Sequence, residues 1–212
     1  MRLFAAIYPP GDVLDHLESA LEMLGPPPAP VPRTDRRQGG RARRAALRPA
    51  WTPRSAWHLT VAFFGQVPAG ALPDLEAALE DAASELEPLT LHLTGAGSFR
   101  GTVSWVGVGG DTDGLTRTMH RVAEVRTEVL PASSSDERVR NRAHLTISRG
   151  GVDPARVAHA LAVYRGPAWT ADAIDLVESE LGQGESGRPR HTVLRRLPLG
   201  GPGGAAPSHG RQ

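Results

Sequence analysis

Two copies of a His-x-Thr pattern are the residues of this sequence best suited to chemistry. One copy is His58 and Thr60, and the other is His144 and Thr146. On a β-strand, residues i and i+2 point to the same face, so each copy would present an imidazole and a hydroxyl about 7 Å apart. Two imidazoles that titrate near neutrality can act as general base and general acid, while hydroxyls hold the oxygens of an anion. The pair therefore favours in-line displacement at a phosphodiester, with one histidine activating water and the other protonating the leaving oxygen.

The repeat extends beyond these four residues and predicts the fold. Residues 57–65 align with residues 143–150, and each copy is followed by a predicted helix and further strands. Duplicated strand–helix–strand halves predict an α+β protein with a pseudo-twofold axis. We expect a duplicated, bilobal fold in which two antiparallel sheets line a central cleft and the helices lie outside. The two matching strands would face each other across that cleft.

The motifs also allow two simpler interpretations. A single His-x-Thr on a strand is usually structural, and it is the second copy in the same context, 86 residues away, that favours function. A metal site would need a carboxylate or a third histidine beside a motif, and neither copy offers one, so we expect no metal and no cofactor. The absence of cysteine excludes thiolate nucleophiles, disulfides and thiolate zinc sites.

Hydrophobic periodicity predicts the elements that position the motifs. Strands are predicted at residues 2–8, 57–64, 89–95, 103–108, 144–148, 173–180 and 192–199. Helices are predicted at residues 11–24, 72–86, 114–130 and 154–164. A run of about 18 apolar residues, which a membrane span requires, is missing, and we expect a cytoplasmic monomer.

The 212 residues are enough for one domain, which we place at residues 1–199 in two pseudo-symmetric lobes. All 24 basic residues are arginine, and residues 25–50 hold seven of them against one aspartate, a formal charge of +6. This Pro/Arg-rich segment has few apolar side chains and is predicted to be a disordered insertion, serving either as an electrostatic arm for RNA or as a solvated loop without a role. Residues 200–212 are predicted to form a flexible tail.

The motifs and their surroundings resemble a known family. Three stretches resemble parts of the two-histidine phosphoesterases, specifically the bacterial RNA 2′,3′-cyclic phosphodiesterases, also called the 2′-5′ RNA ligase family. They are residues 2–7, residues 51–54 leading into 58–65, and residues 144–149. The resemblance implies hydrolysis of a 2′,3′-cyclic phosphate at an RNA end, such as that of a tRNA fragment, to a 2′-phosphomonoester. It also implies that His58 is the proton donor, that His144 is the proton acceptor, and that the two threonines hold phosphate oxygens. From the residues alone, the roles of the two histidines are interchangeable.

Phe63 and Arg149 each follow a motif histidine by five residues. On a regular strand this odd offset turns a side chain away from the histidine, so both reach the cleft only if a bulge or a strand end intervenes. The resemblance implies that they do and that they flank the nucleotide base; otherwise they are a core aromatic and a surface cation. His191 stands where the family tends to carry Tyr, and we expect a partly exposed strand histidine there rather than a residue of the cleft.

Three other functions remain open from the sequence. The cleft could belong to a non-catalytic protein that binds RNA ends, although intact His and Thr in both motifs favour turnover. It could act on another small cyclic phosphodiester, because the motifs contact phosphate and ribose rather than the base. It could also catalyse 2′-5′ RNA ligation.

Overall fold

The computed structural model describes residues 1–24, 51–130, 143–150, 152–184 and 188–200. The predicted insertion at residues 25–50, a polar loop predicted at 131–142 and the tail from residue 201 lie outside the described residues. Within them the protein combines an antiparallel sheet with helices, which confirms the predicted α+β class. None of the helices described is long and apolar enough to cross a membrane.

Strands and helices alternate along the described chain. The strands are β1 (Arg2–Ile7), β2 (Leu59–Gln66), β3 (Leu89–Phe99), β4 (Val103–Gly110), β5 (His144–Arg149), β6 (Arg165–Ala171), β7 (Ala173–Glu180) and β8 (Arg190–Pro198). The helices are α1 (Gly11–Glu22), α2 (Leu72–Ser84), α3 (Thr112–Val129) and α4 (Pro154–Ala160), with short 3-10 turns at Arg54–Ala56 and Ala69–Ala71. Each predicted element is present at or near its predicted place.

The sequence prediction differs from the structure at two strands. The strand predicted to end at Gly95 continues to Phe99, because Gly95 adopts a positive φ of 58° and is accommodated as a bulge against β4. Strand β6 was not predicted, since its Gly166 and Pro167 are unfavourable in a strand. β6 lies at the edge of the sheet, where a residue without a backbone N–H is tolerated.

The eight strands described form one sheet, in the order β6-β3-β4-β5-β2-β1-β7-β8. Its two four-stranded halves, the two sheets expected from the repeat, are joined only where Leu59 on β2 pairs with Leu145 on β5. These leucines occupy equivalent places, each directly after a motif histidine. An antiparallel pair between equivalent residues lies on a local twofold axis, so the duplication seen in the sequence is centred on this pair.

The two faces of the sheet differ in what covers them. The helices pack on one face, which we call the helix face, and enclose the main core, to which Leu3, Ala5 and Ile7 of β1 belong. The alternate residues of β1 point to the other side, the open face, where Phe4 and Ala6 form a small apolar cluster with Val177. Because Leu59 and Leu145 belong to the helix-face core, their neighbours in the motifs point to the open face.

A glycine on the open face makes room for a tryptophan. Gly97 on β3 pairs with Trp105 on β4, and a Cβ atom added at Gly97 would overlap the indole ring. The ring is nearly buried and packs at 5.5 Å from the ring of Phe99. The indole therefore lies flat across Gly97, and its position depends on the missing side chain.

We predict that Gly97→Ala lowers the free energy of unfolding by about 1–3 kcal/mol, because the buried indole must move or the strands must separate. Urea denaturation measures the effect. Gly70→Ala is the matched control, since a Cβ atom there meets open space, and it should change stability by less than about 0.5 kcal/mol. Equal stabilities for the two variants would show that Trp105 is not held against Gly97.

Candidate active site

The Leu59–Leu145 pair places the two motifs side by side on the open face. Extending its antiparallel register by one residue brings His58 across from Thr146 and Thr60 across from His144. Residues directly across a pair are about 4.5–5.5 Å apart at Cα, and diagonal neighbours are about 7–8 Å apart. The two histidines are diagonal neighbours, and all four motif side chains are half-buried. The arrangement can surround one small anion with two imidazoles and two hydroxyls.

Two bulges change which residues share this face. On β2, Val61 is passed over between the pairs Ala6–Thr60 and Ala5–Ala62. The alternation therefore shifts by one, and Phe63 pairs with Phe4, a residue of the open face. The Phe63 ring lies 6.0 Å from that of Phe4, and 42% of the residue is exposed.

A corresponding bulge occurs on β5. Ile147 is passed over between the pairs of Thr146 with Trp105 and of Ser148 with Ser104. Arg149, which follows, exerts its positive charge on both His58 and His191. Phe63 and Arg149, the two residues whose place was conditional on a bulge, thus each follow one on a motif strand.

Aromatic rings surround His58. Its ring centroid is 5.0 Å from that of Phe4 on β1 and 5.6 Å from that of Tyr8, which directly follows β1. His191 of β8 lies 5.2 Å away in an edge-to-face arrangement. His191 is half-buried and also packs on Phe4 at 5.1 Å, so it belongs to the histidine cluster rather than to the strand surface alone.

Burial and positive neighbours keep His58 neutral. Burial is the largest cause that lowers its pKa, from 6.5 to about 4, and the charge of His191 is the second. Arg149 and His144 lower this pKa further, whereas the backbone of Ala56 raises it. The Nδ1 atom is buried and has no partner in good hydrogen-bond geometry among the described residues. The charges that shift this pKa are all positive.

His144 has its own aromatic wall on the other half of the sheet. The ring of Phe99 meets it edge-to-face at 4.8 Å, and the ring of Trp105 lies at 6.3 Å. Since Trp105 rests on Gly97, the position of this wall depends on the strand pairing of β3 and β4.

A carboxylate also lies on the open face, on the side of β1 away from His58. Asp175 of β7 pairs with Ala6 and is buried, which raises its pKa, while Arg196 opposes the shift. Burial, and then the charge of Asp175, raise the pKa of Tyr8 to about 12, so the phenol stays protonated. In the part of the chain that the structure describes, acidic and histidine side chains form no group of three or more suited to a metal ion.

A buried hydrogen-bond chain connects the approach to the first motif with the strand of the second. The indole Nε1 of Trp57, next to His58, donates to the hydroxyl of Thr52 at 2.9 Å. That hydroxyl donates to the carbonyl oxygen of Thr146 at 2.9 Å, and the Thr52 backbone N–H donates to Ile147 at 2.8 Å. Thr52 thereby couples the strand that carries His58 to the strand that carries His144.

The chain has counterparts among known proteins. The family model described as the 2′-5′ RNA ligase superfamily matches residues 26–183. The chain belongs to this superfamily. A search of curated protein sequences finds no match.

Several solved structures share the fold. TT0787 of Thermus thermophilus superposes with a TM-score of 0.66 at 24% identity, over 95% of this chain and 100% of that chain. A protein described as a phosphoesterase superposes with a TM-score of 0.64 at 22% identity, over 93% of this chain and 98% of that chain. Escherichia coli LigT complexed with 3′-AMP gives 0.64 at 23% identity, over 93% and 97%.

Several side chains that form the site were not singled out from the sequence. Phe4 lies in an opening strand that is apolar on both faces, and Tyr8 directly follows it, so no alternation marked them. Thr52 was included in the approach to the motif, but its bonds join residues far apart in the sequence. His191 was expected as a partly exposed strand histidine, and only the order of the strands brings it to His58.

We predict that Thr52→Val changes kcat by a larger factor than it changes the Michaelis constant, with kcat lowered. The reason is that the two motif strands lose the hydrogen bond that joins them. The buried indole N–H and the Thr146 carbonyl would be left unpaired, at a cost of about 1–3 kcal/mol in unfolding free energy. Thr52→Ser keeps the hydroxyl and should restore kcat. If Thr52→Ser and Thr52→Val have the same kcat, the hydroxyl does not position the motifs.

We also predict a stability defect at acid pH that originates in His58. The unfolded chain protonates this residue near pH 6.5 and the folded chain near pH 4, so stability is complete above pH 6.5 and is lost as pH falls between these values. Between pH 7.5 and 5, in a buffer without multivalent anions, the free energy of unfolding of His58→Gln should fall by about 1–2 kcal/mol less than that of the wild type, as measured by urea denaturation at each pH. His120→Gln, at an exposed helical position, is the control. If the unfolding free energy of His58→Gln falls as much at acid pH as that of the wild type, His58 is not held neutral in the folded protein.

Proposed function

We propose that this protein hydrolyses 2′,3′-cyclic phosphodiesters at RNA ends to 2′-phosphomonoesters, with His58 and His144 as acid and base and without a metal. The Leu59–Leu145 pair carries the proposal, because it sets two imidazoles and two hydroxyls around one point on the open face. Phosphate and 3′-AMP are bound in crystal structures of E. coli LigT, which has this fold.

The reaction is a single displacement at phosphorus. His144 takes a proton from water as the water oxygen bonds to phosphorus, and the bond from phosphorus to the 3′ oxygen breaks. His58 gives its proton to that leaving oxygen, so the phosphate remains on the 2′ oxygen. Proton exchange with solvent then restores both histidines. General acid–base catalysis of this kind contributes about 10²–10⁴-fold in rate.

The proton donor must be charged when the substrate is bound, although burial keeps His58 neutral in the empty site. A phosphodiester carries a negative charge into the site, and a nearby anion raises the pKa of an imidazole. His58 therefore gains its proton together with the substrate. The two histidines are related by the local twofold, so their assignment as donor and acceptor follows the family pattern.

Groups around the histidines support binding of the rest of the substrate. Thr60 and Thr146 flank the point between the imidazoles, where their hydroxyls would hold the non-bridging oxygens. The exposed ring of Phe63 can stack on a nucleobase, and the Arg149 guanidinium can hold the base or phosphate from the second strand. A cyclic phosphate attached to a nucleoside, as at an RNA end, uses all of these contacts.

The same displacement allows ligation. If the 5′ hydroxyl of a second RNA replaces water as the nucleophile, the product is a 2′-5′ phosphodiester. The superfamily description favours this as a second candidate activity. We place the reaction in a cytoplasmic, monomeric protein whose residues 1–199 form one domain, with residues 25–50 as an insertion and residues 200–212 as a tail.

We predict that His58→Gln and His144→Gln each lower kcat at least about 10²-fold on a 2′,3′-cyclic phosphate dinucleotide in the presence of EDTA, because each removes a proton-transfer group. His120→Gln controls for loss of an imidazole elsewhere. Chromatography of the products identifies the phosphate position and detects any 2′-5′ dimer.

The product assay also separates the alternatives. A 2′-phosphomonoester formed without metal supports the proposal, and a 2′-5′ linked product supports ligation in the same cleft. If a small cyclic phosphodiester is turned over and the dinucleotide is not, the substrate is a small cyclic phosphodiester rather than an RNA end. RNA binding without any product would make the protein a binder of RNA ends, and near-wild-type rates in either glutamine variant would refute the acid–base roles.

A further inference from the structure

We propose that His191 is a third imidazole of the phosphate site, which donates a hydrogen bond to a phosphate oxygen beside His58 and gains its proton when the anion binds. The inference rests on the proposed function and extends it, because the two-histidine mechanism assigns no role to β8.

Geometry is the first support for this role. The rings of His191 and His58 are in edge-to-face contact at 5.2 Å, and both pack on Phe4. The shared phenyl ring keeps both imidazoles on the same part of the open face. An oxyanion held by His58 is therefore within reach of an N–H group of His191.

The charges around His191 provide the second support. On β7 it faces the neutral Ser179, and from β5 the charge of Arg149 acts on it. On β1, Arg2 shares the face of Phe4. Extending the pairing of Leu3 with Glu178 by one residue brings Arg2 across from Ser179. The charged groups that face His191 among the described residues are thus cations, and their positive charge favours an anion bound beside it.

Of the acidic residues of β7, Asp175 shares the open face, but it lies across from Arg196 with Val177 between it and Ser179; the other two point to the opposite face. Glu178 and Glu180 of β7 alternate with Ser179 and therefore point to the helix face, where Glu180 pairs with Arg190. Glu185, in the connection before β8, lies outside the described residues. Burial and Arg149 lower the pKa of His191 in the empty site, which agrees with an imidazole that charges only when an anion arrives.

Proton uptake on binding of inorganic sulfate tests the proposal. Sulfate is a tetrahedral dianion that does not titrate near neutrality, so the slope of its log Kd against pH counts protons taken up by the protein. Calorimetric titrations from pH 5.5 to 8 at constant ionic strength provide this slope. Wild type should bind sulfate more tightly as pH falls, and His191→Gln should take up on the order of one proton fewer.

Two further variants sharpen the measurement. His191→Tyr keeps a ring and a hydroxyl donor but does not titrate in this range, so its slope should match that of His191→Gln. At pH 6 the glutamine variant should bind sulfate about tenfold more weakly, the effect of one charge-assisted hydrogen bond, with a smaller difference at pH 8. His120→Gln should retain the wild-type slope.

Turnover of the cyclic dinucleotide, measured in parallel, separates this inference from the proposed function. If the wild type is active and His191→Gln keeps the full proton uptake, His191 is not a phosphate ligand, while the two-histidine mechanism stands. If the wild type neither turns over the dinucleotide nor binds sulfate with proton uptake, the phosphate site itself is refuted.

Discussion

One pair of residues, Leu59 and Leu145, joins the two halves of the sheet and determines what the open face can do. Both leucines are buried in the helix-face core, so hydrophobic packing on one side of the sheet sets the register of the polar residues on the other. A shift of one residue in either strand would turn its histidine and threonine toward the helices. The register is therefore the constraint on which the diagonal placement of the imidazoles depends.

This single pair needs support, because β2 and β5 share no other residue pair. The segment that leads into the first motif supplies it. Trp51 bridges to Ser148, and Thr52 bonds to the backbone of Thr146 and Ile147. A short extended segment thus pairs with β5 beside β2, and the Trp57 indole anchors it to the residue next to His58. The two motifs are fixed relative to each other by hydrophobic packing and a buried hydrogen-bond chain.

The site gathers positive charge around His58. His191 and Arg149 disfavour protonation of His58, Arg149 disfavours protonation of His191, and burial lowers the pKa of both imidazoles. Such a cluster costs stability at acid pH and becomes favourable when an anion is placed among the cations. The same electrostatics explain how a histidine with a pKa of about 4 can serve as a proton donor, since the substrate carries the charge that raises this pKa.

Much of the fold follows from local patterns in the sequence. The remaining parts are determined by contacts between residues that are distant in the sequence. The repeated motif predicted the paired strands and the α+β class, because alternation on a half-buried strand is a local signal. The bulges at Val61 and Ile147 were recognised only as a condition for Phe63 and Arg149, since a bulge arises from the partner strand. The edge strand β6 was missed because an edge position tolerates an unfavourable composition.

The contact of His191 with His58 was missed for a related reason. It depends on the order β2-β1-β7-β8, which no local pattern encodes. A crystal structure with a bound 2′-phosphomonoester tests the central arrangement most directly. We predict phosphate oxygens within about 2.7–3.2 Å of an imidazole nitrogen from each motif, on the local twofold at the Leu59–Leu145 pair. A phosphate held by only one motif, or bound away from that pair, would contradict it.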